Sequence, residues 1–226
     1  MCWADTVRSD GVVADDGSPV EVYLALPVEP DLSRVRSLLN GRVSVLDLGC
    51  GPGRHANPLA ADGHRVVAVD DSEVMLDQIV GGEPVLSDIW GLRLGRRFDA
   101  VLALSHLINT PDPQRRSDLL RVCREHLADD GIVIVERYQP DWSPSASDGL
   151  IGDVAVRLGD VVRHDDGSFT AVVTYTVHGR TWRQSFTATT VDDDEMTSLA
   201  YANGLSVKGT VDGDQRWVVL EAMHNS

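Results

Sequence analysis

Residues 45–55 read Val-Leu-Asp-Leu-Gly-Cys-Gly-Pro-Gly-Arg-His, an apolar run that opens into glycines at positions 49, 51 and 53. Glycine is the residue for a backbone that turns left-handed or that something approaches too closely for a side chain. A strand, a glycine loop and a helix start, in that order, aim backbone N–H groups and the positive end of the helix at an incoming ligand. That points to a fold in which a nucleoside-type ligand meets the first βα turn of a parallel sheet, with a merely tight βα turn as the alternative.

The flanking sequence agrees. From 43 to 138 short apolar runs alternate with helical stretches, the pattern of a parallel sheet covered on both faces. Strands are expected at 43–48, 65–70, 83–87, 98–104 and 131–138, with helices at 54–62 and 72–80. A third helix is expected over 113–128, where Leu119, Leu120, Val122, Cys123 and Leu127 fall on one stripe. Asp112-Pro113 supplies its cap and a proline first residue.

Beyond residue 139 the texture changes. The stretch 138–149, rich in Pro, Ser and Asp, reads as a loop, and three β-like runs follow at 153–164, 169–178 and 181–190. Short turns at 165–167 and at His178-Gly179 make these an antiparallel sheet and not another βα unit. Asp192 and Glu195 resemble a capping box before a helix, and strands at 205–211 and 216–223 end the chain. The whole reads as one domain over 1–226: a lead segment (1–40), a ligand-binding half (41–138), an inserted sheet (150–190) and a C-terminal helix and hairpin (191–226).

Charge narrows the partners. A net charge of −15 with only short arginine pairs lacks the basic footprint that nucleic acid needs. No apolar stretch reaches membrane-spanning length, and the first residues have neither the basic nor the apolar part of a secretion signal. Cytoplasmic residence is the expectation. Cys2, Cys50 and Cys123 lack metal-ligand spacing and read as reduced thiols. No histidine pair suggests a metal site, so none is expected. Lys208 is the only lysine, which excludes a Gly-Lys phosphate loop.

Dinucleotide enzymes space their glycines G-x-G-x-x-G, the third allowing close helix–strand packing. Arg54 stands at that third position here. The spacing Gly49, Gly51, Gly53, with Asp47 before it, instead resembles the loop of class I S-adenosylmethionine-dependent methyltransferases. The resemblance covers roughly residues 40–138 and 192–223. It implies a Rossmann-like α/β sandwich: a seven-stranded, mostly parallel sheet whose last strand is antiparallel, here with a small inserted antiparallel sheet. It further implies that Asp47, Gly49, Cys50, Gly51 and Gly53 face the amino acid end of S-adenosylmethionine. Asp70, at the end of the second strand, would accept bonds from the ribose hydroxyls. Asp88, Ile89 and Trp90, just past the third strand, would meet the adenine, and Leu104 and Ser105 the methionine part. Asp71 departs from the family's usual apolar residue; it either bonds the ribose or points to solvent, leaving Met75, Ile89 or Trp90 to cover the adenine. Met75 and Trp90 have plain core readings beside that one. Tyr23, in the lead segment, is placed to cap the sulfonium or carboxylate end, or to pack in the core.

Ligands of open α/β sheets bind beyond the carboxyl ends of the strands. That selects the residues after the fourth and fifth strands. His106 is the general-base candidate, because an imidazole titrates nearest neutrality, with a loop-fixing hydrogen bond as the alternative. Asn109, Arg137, Tyr138 and Trp142 are candidates for the acceptor pocket. The inserted sheet is similar to the extra sheet of sugar N-methyltransferases, which implies a homodimer. The function implied is methyl transfer to N or O of a small molecule in secondary metabolism, with S-adenosylhomocysteine as product. A non-methylating reaction on the same cofactor, such as cyclisation or elimination, and a non-catalytic cofactor-binding subunit are the alternatives.

Overall fold

The computed structural model describes residues 12–14 and 17–223; Cys2 and His224 lie outside the described residues. Two helices, α1 (Val20–Ala25) and α2 (Asp31–Leu38), lead into β1 (Ser44–Leu48), α3 (Ala56–Ala61), β2 (Arg65–Asp70), α4 (Glu73–Leu76) and β3 (Glu83–Leu86). Then come β4 (Phe98–Ala103), a 3-10 turn (Leu107–Asn109), α5 (Pro113–His126) and β5 (Leu127–Glu136). The inserted strands are β6 (Ser147–Ile151), β7 (Val154–Arg163), β8 (Phe169–Val177) and β9 (Arg180–Ala188), and α6 (Asp193–Ala202), β10 (Leu205–Val211) and β11 (Asp214–Ala222) complete the chain.

The main sheet has the order β10-β11-β5-β4-β1-β2-β3. Strands β1 to β5 run parallel, and β11 lies antiparallel to both β5 and β10. The seven-stranded sheet with an antiparallel last strand is therefore present, as is a separate antiparallel sheet, β6-β7-β8-β9.

Period-two geometry explains why the central strands read as unbroken apolar runs. Leu46 and Leu48 of β1, Val101 and Ala103 of β4, and Val133 and Val135 of β5 belong to one core, which α5 and α6 cover. Val45, Ala100, Leu102 and Ile134 face the other core, covered by Leu32 and Val35 of α2 and by Ala56 and Leu59 of α3. Each such buried side chain contributes about 1.5–3 kcal/mol.

Caps stand where the sequence puts them. Asp112 accepts from the Gln114 N–H at 2.9 Å to start α5, and Asp192 accepts from the Glu195 N–H at 2.8 Å to start α6. His178 and Gly179 both have positive φ, the two-residue hairpin turn that matches strand twist.

Three local expectations are corrected. Strand β5 begins at Leu127 and not at 131, and Asp130-Gly131 lies in a register irregularity of its pairing with β4. Gly131 is required there, since a Cβ would come within 2.9 Å of the Asp99 carbonyl. The segment expected to be only a loop contributes β6, paired along β7 from Ser147 to Ile151. The helices expected at 54–62 and 72–80 shorten to six and four residues, because the glycine loop and the approach to β3 take up their ends.

Candidate functional site

The chain leaves β1 for β2 and β3 on one side of the sheet and returns to β4 on the other. This opens a crevice beyond the carboxyl ends of β1 and β4, the location favoured for ligands in open α/β sheets. The three glycines of the loop after β1 have different reasons to be glycine. All have positive φ. A Cβ on Gly49 would press on Leu107 at 3.1 Å, and one on Gly53 would strike the Asn57 amide at 2.7 Å. Only Gly51 faces open space, with nothing within 4 Å of where its Cβ would be. Two glycines thus serve the loop's own packing, and Gly51 presents bare backbone outward.

Asn57 occupies the space that Gly53 frees. Its amide donates to the Gln78 carbonyl at 3.0 Å and accepts from the Val80 N–H at 2.7 Å, tying the glycine loop to the chain after α4. Asp70 closes the crevice from β2: its carboxylate accepts from the Gly51 N–H at 2.8 Å and the Ser72 N–H at 3.0 Å. Beneath the loop Asp47 is fully buried with Oδ2 unpartnered. Burial pushes its carboxyl up to about 7, partly offset by the Arg54 cation, while Asp70 adds to the rise. Cys50 is buried against the same core as Leu104, and burial raises its thiol.

Just past β3 Asp88 Oδ1 accepts from the Trp90 N–H at 2.8 Å, and Ile89 is buried in the core. Trp90 packs on that core with the Arg115 guanidinium 5.2 Å above its ring, in keeping with its core reading. Asp71 is exposed. Met75 is buried with Ala14 and Val20, and Tyr23 packs on them, which places α1 across α4. The lead segment is tied down as well: Arg54 donates to the Pro27 carbonyl at 3.1 Å and to Asp31 at 3.2 Å.

Beside the crevice, Ser105 and His106 both take left-handed angles, φ 55° and 62°. Their sharp turn places the imidazole over Tyr138, ring centroids 4.3 Å apart. Tyr138 in turn stacks on Trp142 at 4.5 Å, and Trp142 meets Phe169 of the inserted sheet edge-on at 5.5 Å. The aromatic wall thus runs from the main sheet to the insert. Burial lowers the imidazole's pKa, with the Glu136 carboxylate opposing that shift, so the ring is held neutral and able to accept a proton. Burial raises the Tyr138 phenol, and Tyr23 and Glu136 add to the rise.

Two residues expected in the acceptor pocket are instead spent inside the protein. Arg137 is 1% exposed. Its guanidinium donates to the Gln215 carbonyl at 3.0 Å, to the Val191 carbonyl at 2.9 Å and to Asp193, leaving no fork to neutralise an acceptor's anion. Asn109 donates to the Thr189 carbonyl at 2.8 Å and accepts from the Tyr138 N–H at 3.0 Å. It fastens the inserted sheet's exit to the end of β5 and does not face a ligand. A residue outside the expected set adjoins the His106 turn. Glu136, last in β5 and 6% exposed, accepts from the Ser105 N–H at 2.8 Å and lies 3.9 Å from His106 Nε2. Its signal in the sequence was an acid ending an otherwise apolar strand. Among the described residues no group of His, Cys, Asp and Glu could hold a metal ion. A hollow of about 470 Å³ lined by Val12, Leu24 and His178 lies elsewhere, between α1 and the β8–β9 hairpin.

A family model described as "Methyltransferase domain" matches residues 45–131, which run from β1 through the glycine loop into β5. Around that domain the chain has the class I S-adenosylmethionine-dependent methyltransferase fold. It is 28% identical over 159 residues, 67% of this chain and 59% of the other, to dTDP-4-amino-2,3,4,6-tetradeoxy-D-glucose N,N-dimethyltransferase from Saccharopolyspora spinosa. The chain therefore spans less than two thirds of that curated relative. Among solved structures, the CcbJ methyltransferase from Streptomyces caelestis superposes with TM-score 0.68 at 22% identity, over 86% of this chain and 88% of that one. The sugar N-methyltransferase KedS8 from Streptoalloteichus sp. does so with TM-score 0.66 at 19% identity, over 99% of each chain. At these identities the superpositions speak for the fold, insert included.

Proposed function

We propose that this methyltransferase domain moves the methyl group of S-adenosylmethionine to a nitrogen or oxygen of a small molecule in secondary metabolism. The observation that carries the reading is the juxtaposition at the β1/β4 crevice. Gly51 presents open backbone there, the Asp70 carboxylate accepts its N–H, and the turn that carries His106 meets the same loop where Leu107 packs on Gly49. Bound there, the sulfonium supplies an electrophilic methyl group, so alignment and exclusion of water are the protein's main task. Asp70 and Gly51 hold the nucleoside and amino acid ends, with Asp47, Gly49, Cys50 and Gly53 shaping the loop. Asp88 and Ile89 line the adenine end, Asp71, Met75 and Trp90 border it, Leu104 and Ser105 flank the methionine part, and Tyr23 closes it from α1. His106 takes the proton that the acceptor loses, while Tyr138 and Trp142 form the acceptor's apolar wall.

The relative from Saccharopolyspora spinosa is named for an amino sugar carried on dTDP, which makes a dTDP-4-amino sugar the first acceptor to try. The net charge of −15 supports a small acceptor over nucleic acid. The buried, free Cys50 and Cys123 suit the reducing cytoplasm. The exposed Leu150, Ile151 and Val162 of β6 and β7 suit a homodimer, and a monomeric mass by light scattering would refute it. Calorimetry should detect S-adenosylmethionine and S-adenosylhomocysteine binding and no NAD. His106→Ala should lower turnover at saturating acceptor by about 100-fold; turnover within about twofold of the parent removes the base role.

A further inference from the structure

Two acceptor atoms without partners stand together beside the turn after β4. One Glu136 oxygen accepts the Ser105 N–H at 2.8 Å. The other, Oε1, takes no hydrogen bond from the protein and lies 3.9 Å from His106 Nε2. At that separation the two do not bond each other. His106 Nδ1 is sealed inside, whereas neither Nε2 nor Oε1 is enclosed. Arg216 of β11 bears on both groups. Its guanidinium is committed to Asp214, however, donating from Nη2 at 2.7 Å and from Nε at 3.1 Å. Glu136 is 6% exposed, and a carboxylate oxygen so placed is costly unless a ligand brings it a donor.

We propose that Glu136 binds the acceptor: its Oε1 and His106 Nε2 together take two hydrogens of one nitrogen, which makes the acceptor an amine. The inference rests on the methyltransferase reading and adds to it a second acceptor-binding residue and the atom that is methylated. A nitrogen about 2.9 Å from both atoms sees them roughly 85° apart. Two N–H bonds of one amine spread somewhat wider, so both atoms are met with little bending. A hydroxyl has one hydrogen and leaves one of the two unmet. Nδ1 lacks a partner whichever nitrogen holds the ring hydrogen, so an N–H entering at Nε2 puts that hydrogen on Nδ1. When the amine's lone pair takes up the methyl carbon, and the carbon–sulfur pair stays on sulfur, the nitrogen becomes cationic. Glu136 faces that charge as it develops. The surplus proton then passes to Nε2, giving an imidazolium that the Glu136 carboxylate favours.

The test uses the full chain, labelled with 15N at histidine and saturated with S-adenosylhomocysteine. Methylammonium chloride is the probe, since it offers N–H donors on a small cation. Tetramethylammonium chloride has the same charge and no N–H, which matters because a net charge of −15 draws any cation toward the protein. Long-range 1H–15N correlations should show a saturable shift of His106 Nε2 with methylammonium and none with tetramethylammonium. In the methylammonium complex the ring hydrogen should be on Nδ1. Glu136→Gln keeps an oxygen for the Ser105 N–H but loses the charge, and should weaken methylammonium binding by about tenfold. Equal responses to the two salts, no response to either, a ring hydrogen on Nε2 in the complex, or undiminished binding by Glu136→Gln overturns the proposal. The wild-type comparison of the salts decides the matter even where the variant folds poorly. Calorimetry with S-adenosylmethionine on the same protein before saturation keeps the two questions apart. Wild-type protein that fails to bind it refutes the methyltransferase reading, whereas binding without a methylammonium response refutes only the grip on an amine.

Discussion

Arg137 decides whether the polar residues beyond β5 belong to the acceptor or to the fold. Replacing it with Met keeps most of the volume and removes all donors. The Val191 carbonyl, on a fully buried residue, then has no partner, at about 1–3 kcal/mol. The Gln215 carbonyl loses its donor too, but Gln215 is exposed and water recovers part of that loss. Asp193 is 66% exposed, so breaking its ion pair adds only about 0–1 kcal/mol. Relief of guanidinium desolvation works in the opposite direction. The net cost is about 2 kcal/mol, and at about 2–4 °C per kcal/mol for a chain of this size the melting temperature should fall by about 4–8 °C. Thermal unfolding by circular dichroism reads that shift, and turnover measured well below the transition should stay near the parent's. A variant that melts like the parent but no longer turns over acceptor would refute the structural role. It would return Arg137 to the acceptor pocket.

The glycine loop yields a paired prediction. Gly51→Ala should cost stability only by its left-handed backbone, about 1–2 kcal/mol, yet weaken S-adenosylmethionine binding at least about tenfold by calorimetry, since a methyl there enters the crevice. Gly53→Ala should destabilise more, about 2–4 kcal/mol by urea titration, because Asn57 must also leave its partners Pro52, Gln78 and Val80. Equal effects at the two positions would contradict the separate roles. Asp47 gives a pH dependence with a definite sign. Its folded pKa, about 7, lies above the ordinary 3.8, so the folded state holds the proton more tightly, and the stability this gives is full below about 4 and is lost as pH rises through about 7. Asp47→Asn keeps the neutral form at every pH, so the stability gap between variant and parent should widen in the variant's favour from pH 4 to pH 8. A gap that is flat across that range would refute the buried protonated carboxyl.

Much of the fold was legible because its central strands are buried on both faces and its turns carry their own chemistry. Asp112-Pro113 and His178-Gly179 mark boundaries by local sterics, which survive without tertiary context. Strand β6 escaped because all five of its residues are exposed, so no alternation of apolar and polar residues betrays it; its strand character comes from pairing with β7. At the crevice, the meeting of Gly51 and Asp70 was legible from their order along the chain. Asn109 and Arg137 were misread for a physical reason: past a strand's last residue the side-chain direction no longer follows from period two. Their partners, Thr189, Val191 and Gln215, lie far along the sequence. Glu136 was passed over because its value lies in the neighbouring strand's turn, and no local pattern records that contact.

The Asn57 amide, lodged where Gly53 has no side chain, is bonded at once to the loop after β1 and to the chain following α4. The distance across that end of the crevice is therefore set by a side chain already in place before any nucleoside arrives. Such a cleft is preorganised: little conformational freedom remains there to be lost on association, and more of the contact energy is kept as affinity.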